Sequence, residues 1–173
     1  MEALERSGLP WYVTGSVALA AYGSPRQTMD VDVVVDATRE QLGSVAGALS
    51  DACYYSEPLR FERRMMAALI DRTGGGKVDL IVRDSDDWGR SAMTRRRGWD
   101  DPALGPVWIS SLEDLILAKL EWSGGSSELQ LRDCRNLLRL NASIVDGDYL
   151  TRWAGELGIA RLLTQTRESG DAS

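Results

Sequence analysis

Apolar residues alternate with polar ones, or run unbroken for a few positions, through the first two thirds of the chain. They then recur at helical spacing to its end. Trp11-Tyr12-Val13-Thr14, rich in aromatic and β-branched residues, predicts a first strand. Ser16 to Tyr22 predicts a short helix that stops at Gly23, with Ser24-Pro25 as a breaker. A second strand follows over Met29 to Asp36, then a helix from Thr38 to about Ala52, opened by a Thr38-x-x-Gln41 capping box. Met65 to Asp71 and Lys77 to Arg83 are two apolar runs joined by Arg72-Thr73-Gly74-Gly75-Gly76, the signature of a β-hairpin. Trp108-Ile109 predicts a last short strand.

Beyond it, Ser110 with Glu113 resembles a second capping box ahead of Leu115, Ile116, Leu117 and Leu120. Helices are expected from about Ser111, Glu128 and Gly147, separated at Gly124-Gly125 and near Asn141. Strands mixed with helices come first and helices alone come last. The fold class expected is therefore α/β or α+β, a mixed sheet flanked by helices. The expected organisation is a core over residues 1–109 and a C-terminal helical extension over 110–173, forming one compact unit.

The second strand carries an anomaly. Side chains two apart on a strand share a face, so Val31, Val33 and Val35 form a hydrophobic wall while Asp30, Asp32 and Asp36 lie on the other side. Asp30 and Asp32 are then about 6–7 Å apart along the strand. Carboxylates that close raise each other's pKa unless a cation lies between them. Mg²⁺ suits such a site, because it takes hard oxygen ligands and keeps room for waters and phosphates. In the second hairpin strand Asp79 faces away from Val78, Leu80 and Val82. If that strand lies beside Met29–Asp36, Asp79 becomes a third carboxylate of the same cluster, enough for two metal ions and in-line phosphoryl displacement.

Composition narrows the chemistry. The chain has no histidine. That excludes Ser-His and Cys-His nucleophile systems and histidine-based zinc sites, and leaves Asp79 as the general base. Cys53 and Cys134 fit no metal or redox spacing, and no apolar run is long enough to span a membrane, so a reduced cytoplasmic setting is expected. The net charge is −6, yet residues 60–97 hold ten Lys/Arg against six acids. That basic middle is either a solvated face or a surface for a polyanion. Gly15-Ser16, where the first strand turns into a helix, is either a plain N-cap or a phosphate cradle.

Taken together, Gly15-Ser16, thirteen residues, Asp30-Val31-Asp32-Val33 and the later Val78-Asp79-Leu80 resemble the nucleotidyltransferase superfamily typified by DNA polymerase beta. Gly15-Ser16, Tyr22-Gly23 and Arg26-Gln27-Thr28-Met29-Asp30-Val31-Asp32 are similar to the small bacterial nucleotidyltransferases of toxin–antitoxin and abortive-infection systems. Ser111 to Lys119 and Arg132 to Leu138 are similar to helical segments of that group. The Thr14 that precedes Gly15 is a small departure.

The resemblance implies a nucleotidyltransferase core that transfers NMP from an NTP to an acceptor and releases pyrophosphate. Gly15 and Ser16 would contact the triphosphate, with Arg26 and Thr28 beside the metal site. Asp30, Asp32 and Asp79 would bind Mg²⁺, and Lys119 would touch phosphate or orient the site from its helix. A tRNA acceptor is favoured slightly over a protein hydroxyl or a small molecule, and a cognate antitoxin is an implied partner. Of the six tryptophans, Trp88 and Trp99 are the ones weighed as a base-stacking surface. The rival reading is a catalytically silent protein of the same fold, acting as an antitoxin or binding subunit.

Overall fold

A computed structural model describes residues 1–61, 63–83 and 86–171. They divide into two compact units, Met1–Val17 with Gln27–Ser110, and Ala18–Arg26 with Ser111–Ser173.

The first unit is built on one sheet, eight-stranded among the described residues: β1 (Trp11–Val13), β2 (Asp30–Val35), β3 (Cys53–Tyr55), β4 (Leu59–Phe61), β5 (Arg64–Asp71), β6 (Lys77–Arg83), β7 (Arg97–Asp101) and β8 (Gly105–Ile109). The order is β3-β5-β6-β2-β1-β8-β7, with β4 paired to β5. Strands β2 and β6 run parallel, as do β1 and β8, while β1 and β2 are antiparallel. The sheet is therefore mixed, as the alternation of strand and helix patterns implies.

Three helices accompany it, α1 (Glu2–Ser7), α3 (Arg39–Gly47) and α4 (Asp87–Arg95), while α2 (Gly15–Ala21) leads out of the unit. The expected capping box closes α3 in both directions: Gln41 N donates to Thr38 Oγ1 at 3.3 Å and Thr38 N donates to Gln41 Oε1 at 2.8 Å. Val33 and Val35 are buried as the wall predicted from the sequence. On that side Leu4 of α1 and Val45 of α3 line a cavity together with Val31, Leu69 and Leu80 of the sheet. On the opposite side Ala92 and Met93 of α4 pack on Tyr12, Val34 and Ile81.

The β5–β6 reversal falls where the glycines place it. Asp71 holds it shut, its carboxylate accepting from the Thr73 N–H at 2.9 Å and the Thr73 hydroxyl at 2.8 Å. Gly74, at φ 81°, supplies the left-handed turn residue.

The second unit is helical: α5 (Leu112–Ser123), α6 (Glu128–Leu140), α7 (Gly147–Glu156) and α8 (Ala160–Asp171). The cap of α5 differs from expectation by one residue. Ser111, not Ser110, is the N-cap, accepting from the Asp114 N–H at 3.1 Å. Ser110 instead prolongs the sheet, its N–H donating to Val13 O at 2.9 Å, and Glu113 turns away to accept from the Asp146 N–H at 2.9 Å. Leu115, Ile116, Leu117 and Leu120 of α5 are all buried. Burial of such a side chain stabilises by about 1.5–3 kcal/mol, so α5 anchors this unit. Asn141, at the end of α6, donates to Tyr22 O at 3.1 Å and fastens the segment after α2 to the helices. Among the described residues no helix is long and apolar enough to cross a membrane.

Candidate active site

Strand β6 lies beside β2, as the three-carboxylate reading requires. The parallel register sets Asp30 opposite Lys77, Asp32 opposite Asp79 and Val34 opposite Ile81. Opposed residues on neighbouring strands point to the same side. One face of this strand pair thus carries four charged side chains in two rows, followed by a hydrophobic row under α4.

Gly15 meets this face at the turn from β1 into α2, with φ 60°. A Cβ there would lie 1.9 Å from Asp32 Oδ2. Two conditions therefore demand glycine at one position: a left-handed backbone, and a carboxylate resting where a side chain would start. The Thr14 N–H donates to Asp32 O at 2.8 Å, which fixes the backbone of β2 against this turn. Ser16 is buried. Thr28 secures the start of β2, its hydroxyl accepting from the Asp30 N–H at 3.1 Å. Gly15, Asp30, Asp32 and Asp79 are thus brought together, with Thr28 at the margin.

Lys77 is the member that the sequence reading missed. Its ammonium stands 2.8 Å from Asp79 Oδ2 and 3.6 Å from Asp30 Oδ2. The hydrogen bond to Asp79, reinforced by the charges of Asp79 and Asp30, holds the Lys77 pKa above the ordinary lysine value against partial burial. The signal was present in the sequence, because Lys77 and Asp79 are two apart on a strand and must share a face. It was obscured by counting Lys77 into the basic stretch.

That stretch is largely engaged with the protein itself. Arg83 stacks on Trp88 at 4.0 Å, Arg96 on Trp108 at 5.0 Å and Arg72 on Tyr54 at 4.0 Å. Arg90 pairs with Asp87. Glu62 and Asp84, counted among the acids of the stretch, lie outside the described residues. Trp88 is buried beneath Arg83, whereas Trp99 stays 38% exposed on β7.

Two further candidates belong to the helical unit. Arg26 is exposed in the segment after α2. Lys119 on α5 is buried and donates to Asp133 Oδ2 and Gln130 Oε1 of α6, each at 2.9 Å. Asp133 is therefore a buried partner of Lys119 and not a helix-surface charge.

The fit of a divalent cation rests on the donor set. Three carboxylates share one face, and two of them already hold a positive charge between them. Hard oxygen donors of this kind suit Mg²⁺. Among the described residues, however, no three acidic, cysteine or histidine side chains converge as a ready-made metal site. The residues fit the ion in kind, and their side chains must regroup to hold it.

No protein-family model matches the chain, and no curated protein matches it by sequence. Solved structures do. The antibiotic-resistance factor ANT(2'')-Ia superposes with a TM-score of 0.56 at 16% identity, over 97% of this chain and 88% of that one. A crystal structure of ANT(2'')-Ia in complex with adenylyl-2''-tobramycin gives 0.54 at 17% identity, over 96% and 93% of the two chains. A candidate nucleotidyltransferase from Thermotoga maritima gives 0.55 at 21% identity, over 78% of this chain and 87% of that one. At these identities the likeness is one of fold.

Proposed function

We propose that this chain, which has the fold of the nucleotidyltransferases, is a Mg²⁺-dependent enzyme that transfers NMP from an NTP to an acceptor. The observation that carries the reading is the register of β2 on β6, which sets Asp32, resting against the bare backbone of Gly15, opposite Asp79 and keeps Asp30 on the same face. Asp30, Asp32 and Asp79 would hold the metal, and Gly15 and Ser16 would meet the triphosphate. A metal bound there would supply positive charge to offset the negative charge of the phosphate oxygens. The acceptor oxygen attacks the α-phosphorus, the bond from that phosphorus to the bridging oxygen breaks, and Asp79 takes the acceptor's proton. For Lys119 to touch phosphate, its ammonium would have to leave Asp133 and Gln130.

The acceptor favoured is a tRNA, ahead of a protein hydroxyl or a small molecule, in a toxin-like role with a cognate antitoxin and a cytoplasmic setting. The adenylyl-2''-tobramycin in the ANT(2'')-Ia crystal supports the small molecule as the rival acceptor on this fold. Incubation of the protein with each α-labelled NTP, Mg²⁺ and a cell extract separates these outcomes. Label is expected in RNA, and none with Asp30→Ala or Asp32→Ala. Label in a small molecule or in protein replaces the acceptor and keeps the chemistry. A wild type that binds neither Mg²⁺ nor any NTP by calorimetry overturns the reading in favour of a silent binding protein.

A further inference from the structure

The four charged side chains in the first two rows of the β2–β6 pair comprise three carboxylates and one ammonium. The ammonium bridges two of the acids, Asp30 opposite it and Asp79 two residues on along its own strand, at 3.6 Å and 2.8 Å. We propose that Lys77 is a resident counter-ion of this site: a divalent cation that draws on Asp30 and Asp79 binds only by displacing its ammonium from both, so Lys77 lowers the metal affinity. This rests on the metal-binding reading of Asp30, Asp32 and Asp79.

Three properties of Lys77 suit it to this part. First, it occupies the place by register, since β6 cannot bring Asp79 beside Asp32 without bringing Lys77 beside Asp30. Second, its side chain is 36% exposed, so the flexible four-carbon stem can swing the ammonium into water without disturbing the core. Third, it is one of 2 lysines in a chain that otherwise uses arginine for positive charge. An arginine fork would grip two carboxylates with several fixed donors, whereas a lysine is a point charge that lets go more readily.

The regrouping that the metal requires follows from the same contact. With Lys77 in place, Asp30 and Asp79 are turned toward the ammonium. A doubly charged ion draws on three carboxylates more strongly than a single charge draws on two. Once displaced, Lys77 would let Asp30 and Asp79 turn toward the ion.

Mn²⁺ binding without nucleotide, followed by electron spin resonance and calorimetry, tests this directly. Lys77→Met is expected to bind Mn²⁺ at least about tenfold more tightly than the wild type, since both the competitor and a like charge are gone. Its metal-free thermal midpoint is expected to fall and to recover with Mg²⁺ more than the wild type gains. Should Lys77→Met not fold without metal, Lys77→Gln keeps a hydrogen-bond donor for Asp79 and makes the same comparison. Tighter binding in either variant supports the proposal. Mn²⁺ affinity equal to or weaker than wild type in a folded variant overturns it and leaves the metal site standing. No Mn²⁺ binding by either protein overturns the metal site itself and this inference with it.

Discussion

Gly15 and Asp32 are fitted to each other: the carboxylate of one occupies the volume that any side chain on the other would need, 1.9 Å from its would-be Cβ. Glycine at the strand-to-helix turn is therefore a requirement of the acid as much as of the backbone. Gly15→Ala should cost about 1–3 kcal/mol for the left-handed conformation alone. It should also push Asp32 off its position. Urea unfolding is expected to show a smaller penalty for Gly15→Ala in an Asp32→Ala background, because the steric part of the conflict has been removed. Equal penalties in the two backgrounds would show that the residues are not coupled.

Lys119 and Asp133 form a buried pair, their side chains only 6% and 5% exposed. Removing one partner leaves the other charge unpaired in the helical unit. Lys119→Met is expected to destabilise by about 3–5 kcal/mol, and a Lys119→Met/Asp133→Leu double variant should recover most of it. Denaturant titration measures both. Transfer activity of the double variant, assayed where it is folded, then separates a scaffold lysine from a phosphate ligand. Full activity assigns Lys119 to the scaffold.

Burial pushes the Cys134 thiol up to about 12, from an ordinary value of 9.0. The native state thus holds its proton while the unfolded chain releases it. The resulting stability is complete below about pH 9 and is lost progressively as the pH rises toward 12. Cys134→Ala should flatten this alkaline slope. At pH 8 a thiol reagent is expected to label Cys53 in the native protein and Cys134 only on unfolding. Labelling of native Cys134 at the rate of Cys53 would contradict its burial.

Asp71 works in the opposite direction. Hydrogen bonds from the backbone and hydroxyl of Thr73 hold its carboxyl below the ordinary 3.8. Its contribution is present above that value and disappears as the pH falls through the lowered one. Because the group is exposed, the effect is expected to be local. Protection of the Asp71 N–H, bonded to Gly76 O at 3.0 Å, against its intrinsic hydrogen-exchange rate should fall in acid, and Asp71→Ala should show the lower protection already at neutral pH.

The parts of the fold that were legible beforehand are those with a strong internal period. The Asp-Val alternation of β2 states both a wall and an exposed edge, and the Gly74–Gly76 run places the β5–β6 reversal. Strand β7 has no such period. Arg97-Gly98-Trp99-Asp100-Asp101 is exposed along most of its length and is a strand only because β8 pairs with it. The three exposed residues of β4 likewise depend on β5, and α4 buries little beyond Trp88 and Ala92. Partner strands, not local sequence, create β4 and β7. In the site, Asp79 could be named because its own strand alternates, but its seat opposite Asp32 depends on a pairing 47 residues away in the chain. The bridge from Lys77 to Asp30 depends on that pairing too.

That register also bears on the order in which the molecule assembles. Joining β2 to β6 closes one of the longer loops of the sheet, so it is among the slower steps of folding. It is also the step that would drive three negative charges together. The strand arriving with Asp79 arrives with Lys77, each in front of its own aspartate. One of the three charges is therefore offset within the zippering itself, by the strand that brings the third acid.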